Sequence, residues 1–220
     1  MPAMATQVRY AVFDVDDTLY PSSCGMWLHI RSRINRYMVE RLSVSETEAP
    51  IQRERYFLEH GTCLAGLMHD YPDLNSDEYL AYVHDLPYER YLVRDDGLSR
   101  MLSELRLEKS VFTNADRGHA VRVLSALGVE EYFDIIVDVH ATNFINKPRI
   151  GAFHALLETL NAEPCQCVLI DDQGRNIEMA QSLGMATIHV GPRSKDDGIG
   201  DFWVPDIGHA ADAFRVLAGG

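Results

Sequence analysis

Aspartates crowd one short stretch of the chain, "AVFDVDDTLY" at residues 11–20. Asp14, Asp16 and Asp17 follow an apolar run that is typical of a buried strand. Carboxylates this close repel one another, and each raises the pKa of its neighbour unless a cation or a hydrogen-bond donor compensates. The stretch therefore predicts a positive partner at the end of this strand.

Other polar residues follow later apolar runs, and they complete a chemically consistent set. They are Thr113 and Asn114, Lys147 before Pro148, Asp171 and Asp172, and Asn176 four residues on. Ligands of open α/β sheets bind outside the carboxyl ends of the strands, so we expect these side chains to converge with the first aspartates. Converging carboxylates favour a hard divalent cation such as Mg²⁺, and the predicted metal-binding set is Asp14, Asp16, Asp171 and Asp172.

The remaining members of this set suit a phosphoryl group. Lys147 supplies a point positive charge, whereas Thr113 and the backbone N–H groups beside Asn114 supply hydrogen-bond donors. A metal, an ammonium and donors around one cavity are the parts that hold a phosphoryl group and spread its transition-state charge. Each residue alone has a simpler interpretation, as a helix cap, a loop residue or a solvated lysine. The joint pattern favours the functional interpretation.

The elements that must position these residues are strands alternating with helices. Apolar runs at 10–15, 110–113, 134–139, 167–171 and 185–190 lack polar alternation, as parallel strands covered on both faces do, and 202–204 is a further edge strand. Apolar stripes at helical spacing lie between them, for example Val121, Leu124 and Leu127. We therefore predict an α/β fold with a doubly wound, Rossmann-like parallel sheet.

One connection breaks this alternation. Between Pro21 and about Asp95 we find no convincing strand, and apolar residues from Trp27 to Leu42 recur at three and four positions. Such a long helical connection predicts an inserted domain and not a loop. The expected division is a catalytic core of residues 1–20 and 96–220 with an all-helical cap at 21–95.

Composition limits the partners. The chain has 220 residues, with 20 basic and 33 acidic side chains and a net charge of −13. This balance argues against a nucleic-acid polymer or an acidic membrane surface as partner, although a local pocket can still bind a small anion. The chain shows no signal-peptide pattern and no apolar run long enough to span a membrane, so we expect a cytoplasmic protein. A homodimer is compatible with the sequence.

The motifs resemble those of a known family. "DVDDT", "TN", "KP" and "DDQGRN" are similar, in order, to the four motifs of the haloacid dehalogenase-like (HAD) hydrolases, and the insertion resembles their C1-type helical cap. Within that superfamily, "FDVDDTLYPSSCG", "GTCLAGL", "LPYERY" and "FTNADRGHA" resemble the pyrimidine 5′-nucleotidase branch. The resemblance implies a Mg²⁺-dependent phosphomonoester hydrolase whose substrate is a small phosphorylated metabolite, with UMP and CMP preferred.

The resemblance also implies roles for individual residues. Asp14 is the nucleophile that forms an aspartyl-phosphate, and Asp16 is the general acid and base. In this resemblance the phosphate is bound by Thr113, Asn114 and Lys147. Thr113 and Lys147 also belong to the catalytic residues. The metal ligands are Asp14, the backbone carbonyl of Asp16, Asp172 and, directly or through water, Asp171. Gln173 and Asn176 depart from residues common in relatives. An acid at Asp16 and the acidic pair at 171–172 speak against dehalogenation.

Two alternatives stay open. A phosphoacceptor receiver domain also groups acidic residues, a Thr and a Lys around Mg²⁺, but it lacks the long insertion and orders these residues differently. A broad-specificity phosphatase acting on sugar phosphates or pyridoxal phosphate differs only in what the cap presents to the phosphate site.

The cap residues that could choose the substrate are also predictions. One candidate is the loop at Gly61, Thr62 and Cys63. The aromatic residues Trp27, Tyr56 and Tyr88 could stack on a base, although any one aromatic residue of a helical domain is more often part of its core. Arg31 and Arg33 could face either the pocket or solvent, and the sequence spacing does not decide between these orientations. His119 is expected on a helix surface.

Overall fold

Six parallel strands form one sheet in the order β3-β2-β1-β4-β5-β6. The protein is described by a computed structural model over residues 8–192 and 198–217. The strands are β1 (Tyr10–Phe13), β2 (Glu108–Phe112), β3 (Ile135–Val137), β4 (Cys167–Asp171), β5 (Ala186–Val190) and β6 (Phe202–Val204). The predicted parallel sheet is confirmed. Four of the six strands differ from the predicted bounds by one or two residues at an end, and three of these end earlier than predicted because the polar chain after the apolar run leaves the sheet.

Helices cover both faces of the sheet. Those in the described residues are α1 (Met26–Leu42), α2 (Ala49–His60), α3 (Cys63–Asp70), α4 (Ser76–Val83), α5 (Asp96–Glu104), α6 (Arg117–Leu127), α7 (Ile150–Leu160), α8 (Gly174–Leu183) and α9 (Ala211–Leu217). Phe13 joins the core on the side of α5, α6 and α9, whereas Val12 and Phe112 join the core on the side of α7 and α8. This two-sided burial explains why the strands lack polar alternation.

The segment between β1 and β2 is helical throughout its regular structure, as the apolar spacing predicts. α1 packs against α2 and α4, and buried tyrosines lie at this contact, with Tyr37 and Tyr79 in edge contact at 5.1 Å between ring centroids. Polar caps begin several of these helices: the side chains of Thr62 and Asn75 accept hydrogen bonds from the first backbone N–H groups of α3 and α4. The division into a core and a cap remains a prediction, and its outer limits at residues 1 and 220 lie outside the described residues.

Register brings the polar strand ends together. Phe13 at the end of β1 pairs with Val111 of β2 on one side and with Ile170 of β4 on the other. Asp14, Phe112 and Asp171 are therefore neighbours across the sheet, and the backbone N–H of Asp14 donates to the carbonyl of Ile170 at 2.9 Å. β1 is thus one of the two middle strands of the sheet, and the polar side chains gather at its carboxyl end.

Candidate active site

Lys147 lies at the centre of the site, and its ammonium is buried with three partners. Its Nζ donates to Oδ1 of Asp14 at 2.8 Å, to Oδ2 of Asp171 at 2.7 Å and to the carbonyl of Phe112 at 2.8 Å. Burial alone would lower the pKa of Lys147, but the charges of Asp14 and Asp171 hold it above its ordinary value. Lys147 is therefore a fixed positive charge between two strand ends.

Three carboxylates gather beside this ammonium. One oxygen each of Asp14, Asp171 and Asp172 lies within 4.8 Å of the others, and this is the group of potential metal-ligating side chains found in residues 8–192 and 198–217. Burial raises the pKa of Asp14 to about 7, against the opposing pull of Lys147. Burial and the charge of Asp171 likewise raise the pKa of Asp172 well above its usual range. These shifts indicate a site that lacks positive charge, which a divalent cation would supply.

Donors from the start of α8 hold two of the carboxylates. Asn176 Nδ2 donates to both oxygens of Asp171, at 2.9 and 3.0 Å, and the backbone N–H of Gln173 donates to Asp171 Oδ1 at 2.8 Å. The side chain of Gln173 donates to Asp172 Oδ2 at 2.6 Å. The two positions that depart from the family pattern are thus hydrogen-bond donors to the acidic pair. Because both oxygens of Asp171 already accept hydrogen bonds, Asp14 and Asp172 are the more available metal ligands.

The chemistry of these donors fits Mg²⁺. Mg²⁺ prefers carboxylate and carbonyl oxygens and keeps several waters when it binds. The buried Oδ1 of Asn176 has no hydrogen-bond partner among the described residues, and it lies on the side chain that also contacts Asp171. A metal-bound water is a suitable donor for such an oxygen.

Thr113 and Asn114 follow β2, and both lie at the cavity beside Lys147. The hydroxyl of Thr113, which is buried, accepts from the backbone N–H of Ala115 at 3.0 Å, so its proton is free to donate toward the cavity. The side chain of Asn114 binds the backbone of Lys147 in both directions, with Nδ2 donating to O at 3.2 Å and Oδ1 accepting from N at 2.8 Å. Asn114 therefore fixes the loop that carries Lys147, and its predicted part in substrate binding rests on its backbone N–H.

Asp16 turns away from the acidic cluster. Its Oδ1 accepts from the hydroxyl of Tyr20 at 2.5 Å and lies 2.8 Å from Nε2 of His119. Burial would raise the pKa of Asp16, but the charge and hydrogen bond of His119, followed by the hydrogen bond of Tyr20, lower it to about 2. The Asp16 side chain thus belongs to a second group of residues, separate from the carboxylates that surround Lys147.

The prediction for His119 is wrong, because this side chain is fully buried. α6 begins after Asp116, whose side chain accepts a hydrogen bond from the backbone N–H of His119 at 2.9 Å. The first turn of α6, which carries His119, therefore lies against the residues that follow β1. No spacing rule identifies this contact, since 103 residues separate His119 from Asp16. The stacking of His84 on His119 could not be predicted from the sequence for the same reason.

Residues from the helical insertion cover the site and line its cavity with the strand-end residues. Trp27, Arg31, Phe57 and the segment from Gly61 to Cys63 all line it. Of the aromatic residues predicted to face a substrate, Trp27 does so, whereas Tyr56 and Tyr88 are buried and do not line this cavity. Arg31 faces the cavity, whereas Arg33 donates from Nε to the carbonyl of Tyr82 at 2.7 Å.

The insertion touches the rest of the molecule directly at this cavity. Arg175 of α8 donates from Nη2 to the carbonyl of Gly61 at 3.0 Å, and its guanidinium lies 4.3 Å from the ring centroid of Phe57. Asn146, next to Lys147, donates to the carbonyl of His60 at 3.2 Å. The loop after α2 therefore contacts both of the segments that carry Lys147 and the acidic pair.

Comparison with known families agrees with this geometry. Residues 8–184 match the family described as haloacid dehalogenase-like hydrolase, and the chain belongs to that family. A HAD phosphatase from Thermococcus onnurineus has a similar fold, with a TM-score of 0.65, 20% sequence identity, and coverage of 97% of this chain and 99% of that chain. No helix within residues 8–192 and 198–217 has the length and apolar character needed to cross a membrane.

Two characterised relatives are similar in sequence. Phosphate metabolism protein 8 of Saccharomyces cerevisiae is 29% identical over 190 residues, which are 80% of this chain and 59% of that protein, so the chain spans under two thirds of its length. Glyceraldehyde 3-phosphate phosphatase of Methanopyrus kandleri is 27% identical over 235 aligned positions, covering 96% of this chain and 99% of that protein.

Proposed function

We propose that this chain is a Mg²⁺-dependent phosphomonoesterase that works through an aspartyl-phosphate on Asp14 and prefers pyrimidine nucleoside 5′-monophosphates. The observation that carries the proposal is the placement of Lys147 between Asp14 and Asp171, with Asp172 beside them, at the floor of a covered cavity. This proposal includes the predicted core of residues 1–20 and 96–220 and the predicted cap of residues 21–95.

Asp14 is the nucleophile in this proposal. One of its oxygens accepts from Lys147, and the other lies 3.3 Å from the hydroxyl of Thr18. A carboxylate oxygen of Asp14 attacks phosphorus, and the bond from phosphorus to the leaving alcohol oxygen breaks. Water then attacks the same phosphorus, which releases inorganic phosphate and restores the carboxylate. The bound ammonium offsets negative charge on Asp14 while the phosphate dianion approaches.

Asp16 transfers protons in both steps. The leaving alcohol oxygen takes a proton from the Asp16 carboxyl group, and Asp16 later takes a proton from the attacking water. The hydrogen bonds from Tyr20 and the His119 contact stabilise its carboxylate, which is the form needed in the second step. A bound phosphate dianion beside Asp16 raises its pKa and so favours the protonated form needed in the first.

The phosphate site uses charge and hydrogen bonds from different residues. Because the three protons of the Lys147 ammonium are already directed at protein oxygens, this residue contributes mainly its positive charge. Thr113 and the backbone N–H groups near Asn114 supply donors for phosphate oxygens. Asp14, Asp172 and the backbone carbonyl of Asp16 would hold Mg²⁺, with Asp171 acting directly or through water. When bound, Mg²⁺ supplies the positive charge that neutralises phosphate oxygens.

Two observations support the preference for pyrimidine nucleotides: a sequence resemblance and the aromatic residues of the cavity wall. The stretches "FTNADRGHA" and "GTCLAGL" resemble the pyrimidine 5′-nucleotidase branch, and the second of them includes part of the cavity wall. Trp27 and Phe57 add aromatic faces to that wall, on which a nucleobase can stack. A broad phosphatase for sugar phosphates is the second candidate, and the relative named a glyceraldehyde 3-phosphate phosphatase, which aligns over nearly its whole length, favours it.

A substrate screen tests the proposal. Phosphate release is measured from UMP, CMP, AMP, sugar phosphates and pyridoxal phosphate, first with Mg²⁺ and then with a chelator. We expect UMP and CMP to be hydrolysed at least about tenfold more efficiently than AMP, and chelator to abolish the activity. A flat profile would favour the second candidate, and no hydrolysis of any ester would reject a phosphatase.

A pair of neighbouring variants tests the aromatic wall. Trp27→Ala should raise the KM for UMP several-fold more than the KM for a sugar phosphate, because only the base loses a stacking surface. Leu28→Ala is the matched control, since Leu28 lies next to Trp27 in α1 and its side chain is 68% exposed. Equal effects on both substrates in Trp27→Ala would contradict a role in base recognition.

A further inference from the structure

Two buried histidines beside Asp16 have no part in the chemistry described so far. His119 from α6 and His84, which follows α4, stack with ring centroids 4.2 Å apart and an angle of 28° between their planes. His119 is fully buried and His84 is nearly so. Buried polar rings are costly unless they are hydrogen-bonded, so the partners of these rings indicate what they do.

Both nitrogens of the His119 ring have defined partners. Nε2 lies 2.8 Å from Oδ1 of Asp16, and Nδ1 lies 2.9 Å from the hydroxyl of Tyr88. The Tyr88 hydroxyl is itself fixed by donating to the carbonyl of His84 at 3.0 Å. The ring of His119 therefore cannot turn about its side-chain bonds without breaking a contact at each end.

The stacked ring of His84 is fixed in the same way. Its Nδ1 lies 2.5 Å from Oδ2 of Asp116. Oδ1 of Asp116 accepts from the backbone N–H of His119, so one carboxylate joins both histidines. His84 covers a face of the His119 ring while Asp116 sets the distance between them. The side chains of Asp116, His84, His119 and Tyr88 thus form one connected group, which contacts Asp16 through His119 and reaches the cavity wall through His84.

The hydrogen bonds on Asp16 leave a specific atom for the substrate. Among the described residues, the two side-chain contacts of Asp16, from Tyr20 and His119, both reach Oδ1. Asp16 also lines the cavity. With Oδ1 held from two directions, the carboxyl group has a fixed plane, and Oδ2 is the oxygen free to meet a leaving-group oxygen.

We propose that His119 is a positioning residue that fixes the carboxyl group of Asp16 for proton transfer to the leaving group, and that His84 and Asp116 hold His119 in place. This inference rests on the proposed function, because it assumes that Asp16 is the general acid. His84 belongs to the predicted cap segment, whereas Asp16 and His119 belong to the predicted core. The orientation of the acid therefore depends on a side chain from the insertion.

Comparing kcat for substrates with different leaving groups distinguishes a positioning role of His119 from a purely structural one. An alkyl phosphate needs a proton on its leaving oxygen, whereas p-nitrophenyl phosphate scarcely does. His119→Ala should lower kcat for the alkyl substrate by about 10²-fold, in the range for general acid catalysis, and kcat for p-nitrophenyl phosphate by less than about fivefold. KM should change little for either. His119→Gln, which keeps a donor, should recover part of the alkyl rate.

A double-mutant cycle shows whether His119 acts through Asp16. In the Asp16→Ala background, His119→Ala should cost less than about twofold more on the alkyl substrate, because the group that it positions is already gone. Val123→Ala is the matched control: Val123 is also fully buried and lies one helical turn further along α6, but its side chain has no group that can hydrogen-bond to Asp16. It should lower the unfolding temperature without changing the ratio of the two rates.

Three outcomes would overturn the proposal: equal losses on both substrates in His119→Ala, losses that multiply in the cycle, or the same change of ratio in Val123→Ala. If His119→Ala does not fold, His119→Leu, which fills more of the space but offers no hydrogen-bond donor to Asp16, should show the same change of ratio. A wild-type protein that hydrolyses no phosphate ester would reject the proposed function. An active wild type with an unchanged ratio in the variants would reject the role of His119 alone.

Discussion

The ammonium of Lys147 lies 2.8 Å from Oδ1 of Asp14, although 133 residues separate the two in the chain. The same nitrogen contacts Asp171, and Asp172 lies within the same cluster. One ammonium among three carboxylates leaves two negative charges when all are ionised, and a divalent cation would balance them. Lys147 is therefore the fixed positive charge of this cluster, and a bound cation would supply the rest.

Removing the charge of Asp14 should abolish turnover without unfolding the protein. Asp14→Asn keeps the shape of the side chain but has no carboxylate to form an aspartyl-phosphate, so we expect kcat to fall by at least about 10³-fold. Lys147 keeps its contacts with Asp171 and the Phe112 carbonyl, so the unfolding temperature should not fall by more than a few degrees. Phosphate release and thermal unfolding measure the two. Asp134→Asn, at an exposed aspartate, is the control. Wild-type activity in Asp14→Asn would end the nucleophile assignment.

Asp16→Ala should discriminate between leaving groups. Its rate with an alkyl phosphate should fall by about 10²- to 10⁴-fold, because the alcohol then leaves without a proton. Its rate with p-nitrophenyl phosphate should fall much less, since that leaving group is stable as an anion. Steady-state rates on both substrates provide the comparison. Similar losses on the two would show that Asp16 has another function.

The pH dependence of stability should reveal the buried charge of Asp14. Without metal, burial raises the pKa of Asp14 from 3.8 to about 7, so between these values the folded protein binds more protons than the unfolded chain. Stability from this group is therefore present at low pH and is lost as pH rises toward about 7. In chelator, the unfolding temperature of the wild type should fall more between pH 5 and 7.5 than that of Asp14→Asn.

Added Mg²⁺ provides the complementary measurement. At pH 7.5 it should raise the unfolding temperature of the wild type by more than that of Asp14→Asn, because metal that binds only the folded state stabilises it. Asp17, whose pKa burial raises to about 6, is present in both proteins and cancels in the comparison. Parallel curves for the two proteins, with and without Mg²⁺, would contradict a metal site that includes Asp14.

Gly61 should be required for the contact between the insertion and the site. Its φ is +88°, and a Cβ there would lie 2.2 Å from Nδ2 of Asn146, the neighbour of Lys147. Gly61→Ala should therefore displace this loop and lower kcat/KM by about tenfold or more. Gly184 is the matched control, because it also ends a helix with a φ of +88° but a Cβ there meets nothing within 4 Å.

Gly184→Ala should cost about 1 kcal/mol of stability from the backbone conformation alone and leave kcat/KM unchanged. Measuring kcat/KM and the unfolding temperature of Gly61→Ala and Gly184→Ala therefore distinguishes the effect of backbone strain from the effect of losing the contact between Gly61 and Asn146. If both glycine variants have wild-type kcat/KM, the loop after α2 does not need its contact with Asn146 during turnover.

The sequence predicts the charged floor of the site well because strand ends are local features. An apolar run followed by a polar residue marks both the strand and its carboxyl end, so Asp14, Thr113 and Asp171 can be found without coordinates. Parallel pairing then brings them together whatever the helices do. The long helix α1 is equally visible, since its apolar residues repeat over 17 residues.

The surroundings of Asp16 could not be predicted, since they depend on how helices from distant parts of the chain pack. His119 looks like any helical histidine until the start of α6 is placed against the chain after β1. The aromatic residues of the insertion show the same limit: Tyr56 and Trp27 both lie in amphipathic helices, but Tyr56 is core and Trp27 faces the cavity. Periodicity identifies an apolar face and does not identify what that face meets.

The central position of β1 has a consequence for how the protein is made. This strand precedes both of its partners in the chain, which are residues 108–111 and 167–170. In a nascent chain this apolar segment therefore stays unpaired until a neighbouring strand has been synthesised, which slows folding. Asp171 and Asp172 are likewise synthesised long after Asp14, so the acidic cluster at the end of β1 is complete only once β4 has been made.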